Sequence, residues 1–164
     1  MTRENAAAML TRADTPGPLY FEDFAVGQVY RSGTFAVDTA AIKAFATQFD
    51  PQPFHLDEAA AKGTLFGGLA ASGFHTAALT MRLLVDGGAP IAGGIIGAGL
   101  DELRWPRPVR PGDVLHTESE VMEKRDFRSR PKEGLVKMRT TTLNQNGEAV
   151  QVMVANLLVP RRVG

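Results

Sequence analysis

An aspartate and a histidine five residues apart, Asp50 and His55, stand in the segment Phe45-Ala46-Thr47-Gln48-Phe49-Asp50-Pro51-Gln52-Pro53-Phe54-His55-Leu56-Asp57. The two prolines between them each lock a backbone dihedral and push the preceding residue, Asp50 or Gln52, out of the helical region. Carboxylate and imidazole are therefore expected on a stiff loop at nearly constant separation. Acid/base work on one water needs that: both groups within reach of the same molecule, held in place before a substrate arrives. In water an imidazole titrates at about 6.5 and an aspartate at about 3.9, so in an apolar cleft the pair would share protons as a coupled unit, with either group acting as acid or base. The same residues also suit a plain structural role, Asp50 ending a helix and His55 bonding backbone, and spacing alone leaves both readings open.

The remaining candidates are weaker. His75 lies one turn into a long apolar helix, where it either lines a pocket or serves as a satisfied core histidine. His116, beside Thr117 and Glu118 in a strand, is expected on a solvated face. Three scattered histidines, no cysteine and no histidine pair at helical spacing predict no metal site. The run Gly93 to Gly99 has the composition of a nucleotide loop, but Glu102 occupies the third glycine position and a strand follows, so the dinucleotide reading fails. Lys124, Arg125, Arg128, Arg130 and Lys132 cluster in a hairpin that either is simply solvated or meets phosphates.

The elements that must position Asp50 and His55 are legible from periodicity. A strand is expected from Gln28 to Val37; Asp38 then caps a helix carrying Ile42, Phe45, Ala46 and Phe49 at helical spacing and ending at Asp50. A short helix covers Asp57 to Lys62, and glycines 63, 67 and 68 let the chain turn before a longer helix begins near Ser72. Its apolar stripe is Phe74, Ala77, Ala78, Met81, Leu84 and Val85, flanked by Leu79 and Leu83, and a helix so apolar calls for wrapping; Asp86-Gly87-Gly88 ends it. Four strands follow, Ile95 to Trp105, Val114 to Arg125, Gly134 to Asn144 and Glu148 to Val159, read as an antiparallel meander. Asn146-Gly147 marks a tight hairpin and Pro111-Gly112-Asp113 a turn. Gly97 and Gly99, on one face of their strand, are expected to let the helix approach closely. The predicted class is α+β, one strongly curved antiparallel sheet around one apolar helix.

Composition bounds what such a domain does. A length of 164 residues suits one domain, taken as residues 19–164 behind a mobile tail of residues 1–18 that ends in Pro16-Gly17-Pro18. Eighteen basic residues balance eighteen acidic ones, so no net field favours nucleic acid or an anionic membrane, and a small-molecule partner is expected. No run approaches the roughly 18 apolar residues of a membrane span, and the N-terminal stretch lacks the apolar core of a signal peptide. The lack of cysteine removes disulfides and thiolate chemistry and suits the reducing cytoplasm.

The run from Phe45 to Asp57 resembles the signature of the MaoC-like dehydratases and (R)-specific enoyl-CoA hydratases, which places Asp, any residue, Asn, Pro, an aliphatic residue and His in that order. Asp50, Pro53 and His55 match in place and spacing, whereas Gln52 replaces the Asn and Phe54 the aliphatic residue. Ala71-Ser72-Gly73 and the Pro-Val-x-Pro-Gly-Asp stretch at Pro108 to Asp113 are similar to further family segments, and the resemblance spans Tyr20 to Pro160. It implies the hot-dog fold, dimers, and acyl thioesters of coenzyme A or an acyl carrier protein as substrates, with no cofactor beyond that carrier. By position, Asp50 and His55 become the catalytic pair, and Gly73 the glycine whose amide polarises the thioester carbonyl. A helix N-terminus with unpaired N–H groups and no side chain suits that role independently. Ser72, which caps the helix in this reading, is expected to contact the substrate together with Gln52, Phe54, Phe74 and His75. The implied reaction is reversible hydration of a trans-2-enoyl thioester. The rivals are a hot-dog thioesterase and a non-catalytic acyl-binding subunit of a heteromer.

Overall fold

Period-2 alternation in the C-terminal half builds a sheet, and the 3.6-period segment before it supplies the helix laid against that sheet. The structure, a computed structural model, describes residues 8–164. In chain order it contains β1 (Met9–Leu10), a 3-10 turn at Phe21–Asp23, β2 (Val29–Arg31), β3 (Phe35–Ala36), α1 (Thr39–Phe49), α2 (Pro53–Leu56), α3 (Glu58–Lys62), α4 (Gly73–Gly87), β4 (Ile96–Arg104), β5 (Val114–Asp126), β6 (Glu133–Leu143) and β7 (Ala149–Pro160). Of the tail expected to be mobile, residues 1–7 lie outside the described residues. The rest is tied down: β1 pairs with β2, and the Arg12 guanidinium donates to the Val85 carbonyl at 2.9 Å.

The sheet order is β1-β2-β5-β6-β7-β4, with β3 against the start of β5. β5, β6 and β7 form the expected meander. β4 does not join it beside β5 but crosses to the outer edge of β7, running from Ile96 opposite Leu158 to Arg104 opposite Val152. The β4–β5 connection contains Pro106, Pro108 and Pro111, which cannot donate to a ladder, so no tight hairpin forms there. The β1–β2 pairing is parallel, which makes the sheet mixed where a purely antiparallel one is expected. The strand expected from Gln28 to Val37 breaks at Ser32–Thr34. Gly33 lies so close under the end of α4 that a Cβ added at Gly87 would be 2.9 Å from its amide nitrogen. Gly97 and Gly99 play no such part: a Cβ at either meets nothing within 4 Å, and Gly99, at φ +150°, instead permits a bulge in β4. The β6–β7 turn places only Gly147 at positive φ (+73°), so Asn144 to Glu148 form a longer loop than a two-residue Asn-Gly turn.

α4 packs across β5 and β7 through His75, Thr76, Leu79, Thr80 and Leu83. The stripe expected to be wrapped is the other face: Phe74, Met81 and Val85 are 66%, 44% and 56% exposed. One sheet covers one side of a helix, and threonines can occupy the covered side because each finds a partner: Thr80 bonds Thr142 and Gln151 of the sheet, and the Thr76 hydroxyl donates to the Ser72 carbonyl at the start of its own helix. The core has two clusters. One includes Val37, Ile42, Leu79, Val109, Leu115 and Val150, and the other Phe24, Tyr30, Val121, Val136, Met153 and Leu157. Ile42 and Leu115 are fully buried, each contributing about 1.5–3 kcal/mol of transfer free energy. Among the described residues no helix is long and apolar enough to cross a membrane.

Candidate active site

Asp50 follows α1 as its C-cap at φ −151°, ψ 65°, outside the helical region as Pro51 requires. Gln52 is extended for the same reason, and Pro53 takes the first position of α2, where a missing N–H costs nothing. His55 thus sits on a one-turn helix where the two prolines predict a loop; the Asp57 amide closes the turn on the Pro53 carbonyl at 3.0 Å. The imidazole is 4% exposed, with Nδ1 2.6 Å from the Ala70 carbonyl oxygen. A carbonyl only accepts, so Nδ1 carries the hydrogen, and Nε2 faces Asp50 Oδ2 at 3.3 Å. Nε2 of the neutral ring and the ionised carboxylate both present lone pairs there. One proton between them completes a hydrogen bond; without it, the two jointly accept from a water.

The other carboxylate oxygen, Oδ1, accepts from the Gln52 side-chain amide at 2.5 Å. Burial pushes the Asp50 pKa up, but the neighbouring Ser72 hydroxyl, the Gln52 amide and the His55 ring outweigh it and hold the carboxyl below its ordinary value. Ser72 acts there by proximity: its buried Oγ makes no well-formed hydrogen bond among the described residues. It also fails to cap α4, although Ser72 occupies the N-cap position. The first amides of α4, beginning with Gly73, therefore have no side-chain acceptor from the cap.

Gly73 and His55 line one cleft of about 410 Å³, walled by Leu65, Phe66, Trp105 and Val109. Besides allowing close approach to its amide, Gly73 has a packing reason to lack a side chain: a Cβ would stand 2.8 Å from the Trp105 ring. That ring is anchored from below. Its Nε1–H donates to Gln151 Oε1 at 2.9 Å, the fully buried Gln151 amide donates to Thr80 Oγ1 at 3.1 Å, and Thr80 shares a 2.6 Å bond with Thr142.

The structure brings Asp50, His55, Ser72 and Gly73 together and sets the other expected contact residues around them. Gln52 bonds Asp50. Phe54 meets the His55 ring edge-on at 4.6 Å and backs it together with Phe66. Phe74 turns outward and touches only the rim, its ring 5.7 Å from Trp105. His75 is buried beneath, stacked on Phe45 at 4.8 Å; its Nδ1 has no partner among the described residues, and burial pushes its pKa down. His116 is half-buried, 3.4 Å from Glu118. Of the basic hairpin, Lys124 and Arg125 fall at the C-terminal end of β5, and none of its five cations lines the cleft. No group of three or more potential metal-ligating side chains occurs among the described residues. Sequence reasoning missed Ala70 and Gln151, the partners of His55 and Trp105, and Arg110, whose guanidinium donates to the Gly68 and Leu69 carbonyls. Arg110 lies inside the family-like Pro-Val-x-Pro-Gly-Asp stretch, the one signal that marks it.

Residues 23–144 match the family model described as MaoC-like domain. An uncharacterised Bacillus subtilis protein, YdeM, is 31% identical over 140 residues, covering 85% of this chain and 98% of its own. Among solved structures, a MaoC-like dehydratase from Rhodospirillum rubrum superposes with a TM-score of 0.86 at 57% identity, over 89% of this chain and 99% of that one. The unliganded (R)-hydratase PhaJ1 of Pseudomonas aeruginosa superposes with a TM-score of 0.71 at 30% identity, over 93% and 89%.

Proposed function

Because the chain belongs to the MaoC-like domain family of hydratases and dehydratases and shares their hot-dog fold, we propose that it is a hydro-lyase acting on a trans-2-enoyl thioester of coenzyme A or an acyl carrier protein. The observation that carries this reading is the aim of His55: its Nδ1–H is committed to the Ala70 carbonyl, leaving Nε2 beside the Asp50 carboxylate and in the same cleft as the Gly73 amide. A water held between Nε2 and Asp50 gives a proton to the pair as its oxygen bonds C3 of the acyl chain. The C2–C3 π pair shifts toward the thioester carbonyl, whose oxygen gains negative charge and is stabilised by the α4 N-terminal amides at Gly73. The pair returns the proton to C2, giving the 3-hydroxyacyl thioester; dehydration is the reverse. Every proton stays within the pair and the substrate, so the carrier thiol is the one auxiliary group required.

A second copy completes the assembly in this reading. The outer edge of β4 has no strand partner among the described residues, and Ile96 and Leu100 on it stand 55% and 52% exposed beside the uncovered face of α4. A homodimer along that edge would remove an open strand and an apolar patch together. The absence of cysteine suits a cytoplasmic setting.

The test is loss of enoyl-thioester absorbance across trans-2-enoyl-CoA substrates of different length and branching, with Asp50→Asn alongside. The wild type is expected to yield the 3-hydroxyacyl product without free thiol, and Asp50→Asn to lose about 10²–10⁴-fold in rate while keeping its melting temperature within a few degrees. Thiol release would make the protein a thioesterase, and wild-type turnover by Asp50→Asn would overturn the mechanism.

A further inference from the structure

We propose that Arg110, in the β4–β5 loop, is a positioning residue that sets the tautomer and aim of His55. Its place in turnover rests on the hydration reading above, but its effect on the imidazole does not. Arg110 is half-buried; its backbone amide donates to Asp113 Oδ2 at 2.8 Å, but its guanidinium forms no ion pair among the described residues. Its guanidinium instead donates to three backbone carbonyls of one short segment: Gly68 at 2.8 Å, Leu69 at 3.2 Å and Phe66. A guanidinium carries five N–H donors in a fixed plane, so it holds several spread oxygens in one set geometry, where the three rotating donors of an ammonium radiate from a single point. The segment turns at Gly67, at φ +64°, and without the cation its convergent carbonyl dipoles would have no donor among them.

The next residue is Ala70, whose carbonyl takes the His55 Nδ1–H at 2.6 Å. The Ala70 amide donates to the Phe54 carbonyl at 3.2 Å, and the Ala71 amide to the Val109 carbonyl at 2.9 Å. The segment from Phe66 to Ala71 is therefore pinned on one side to the helix that carries the imidazole and on the other to the loop that carries Arg110. The hydrogen on Nδ1, and the lone pair it leaves on Nε2, depend on where the Ala70 oxygen stands. Arg110 holds the residues immediately before it.

Full-length protein labelled with 15N-histidine, with the His55 resonances assigned by comparison with His55→Asn, reports the tautomer without any substrate. Wild type is expected to show hydrogen on Nδ1 of His55. Arg110→Met is expected to show mixed tautomers there and a rate about 10–100-fold lower at nearly unchanged KM, the scale expected when a catalytic group loses its aim. Arg110→Lys, which keeps the charge but not the planar fork, is expected to fall between, and added methylguanidine to recover part of the Arg110→Met loss. If Arg110→Met fails to fold, Arg110→Lys carries the same two readouts. A folded variant with an unchanged His55 signature overturns the proposal, as does one with mixed tautomers and unchanged turnover. Should wild type turn over no enoyl thioester, the nitrogen signature alone still decides whether Arg110 positions His55.

Discussion

The two ends of α4 are built on opposite principles. At its C-terminal end Leu84 joins Ala89, Ile91, Met138, Met153 and Leu157 around an apolar cavity of about 110 Å³, and the two hydroxyls that reach it, Ser119 and Thr140, satisfy each other at 2.8 Å. At its N-terminal end polar groups are buried without settled partners. Of three buried side-chain atoms lacking a hydrogen bond among the described residues, Ser72 Oγ lies at the N-cap of this helix and His75 Nδ1 in its first turn; the third, Thr117 Oγ1, is in β5. A buried polar atom costs about 1–3 kcal/mol wherever it is left unpaired, a cost that the apolar end does not carry. Substitutions at the two ends should accordingly separate stability from turnover.

The largest expected effect is at the apolar end. Leu157→Ala should destabilise by about 2–5 kcal/mol in denaturant titration, yet leave turnover per folded molecule unchanged. A large fall in kcat with stability intact would erase the distinction. Next comes Gly73→Ala at the site end. The new methyl would meet the Trp105 ring at 2.8 Å, and the displaced indole and helix start should lower the rate about 100-fold while the melting temperature moves little. Adding Trp105→Leu to make room should recover part of the rate in the same assay.

The smallest expected effect concerns His75, whose pKa burial lowers below its unfolded value of about 6.5. Between those two values the unfolded chain binds a proton that the folded chain does not. His75 therefore costs stability increasingly as pH falls below about 6.5, and nothing well above it. His75→Phe, which keeps a ring against Phe45, should gain melting temperature over wild type, and the gain should be larger at about pH 5.5 than at about pH 8. A gain independent of pH would remove titration of His75 from the explanation.

How far the sequence alone reached follows the same division between local and distant information. The strand expected from Ile95 to Trp105 is observed at Ile96–Arg104, because alternation and flanking turns act within the segment itself. Its partner was not legible: β4 pairs with β7 across two intervening strands, and nothing in residues 96–104 encodes that choice. The apolar residues of α4 are legible as a pattern, but the pattern does not say which of them the sheet covers: Leu79 and Leu83 are buried while Phe74, Met81 and Val85 are exposed, since hydrophobicity identifies a face without identifying what covers it. Thr76 and Thr80 lie on the covered face; Gln151 and Thr142, some seventy and sixty residues later, complete the hydrogen bonds of Thr80. Asp50 and His55 could be singled out because the prolines that hold them are adjacent in sequence. The Ala70 carbonyl could not, because every residue has a carbonyl and only the fold selects which one meets an imidazole.

The crossing of β4 to β7 also orders the birth of the molecule. Asp50, His55, α4 and the Trp105 loop all leave the ribosome before β7 exists, yet β4 has no strand to pair with, and Trp105 no Gln151 to hold it, until residues 149–160 arrive. Pairings so distant in sequence are slow to form. The nascent chain thus carries the groups of the candidate site on an open, apolar and unpaired framework, and its last strand is what closes that framework around them.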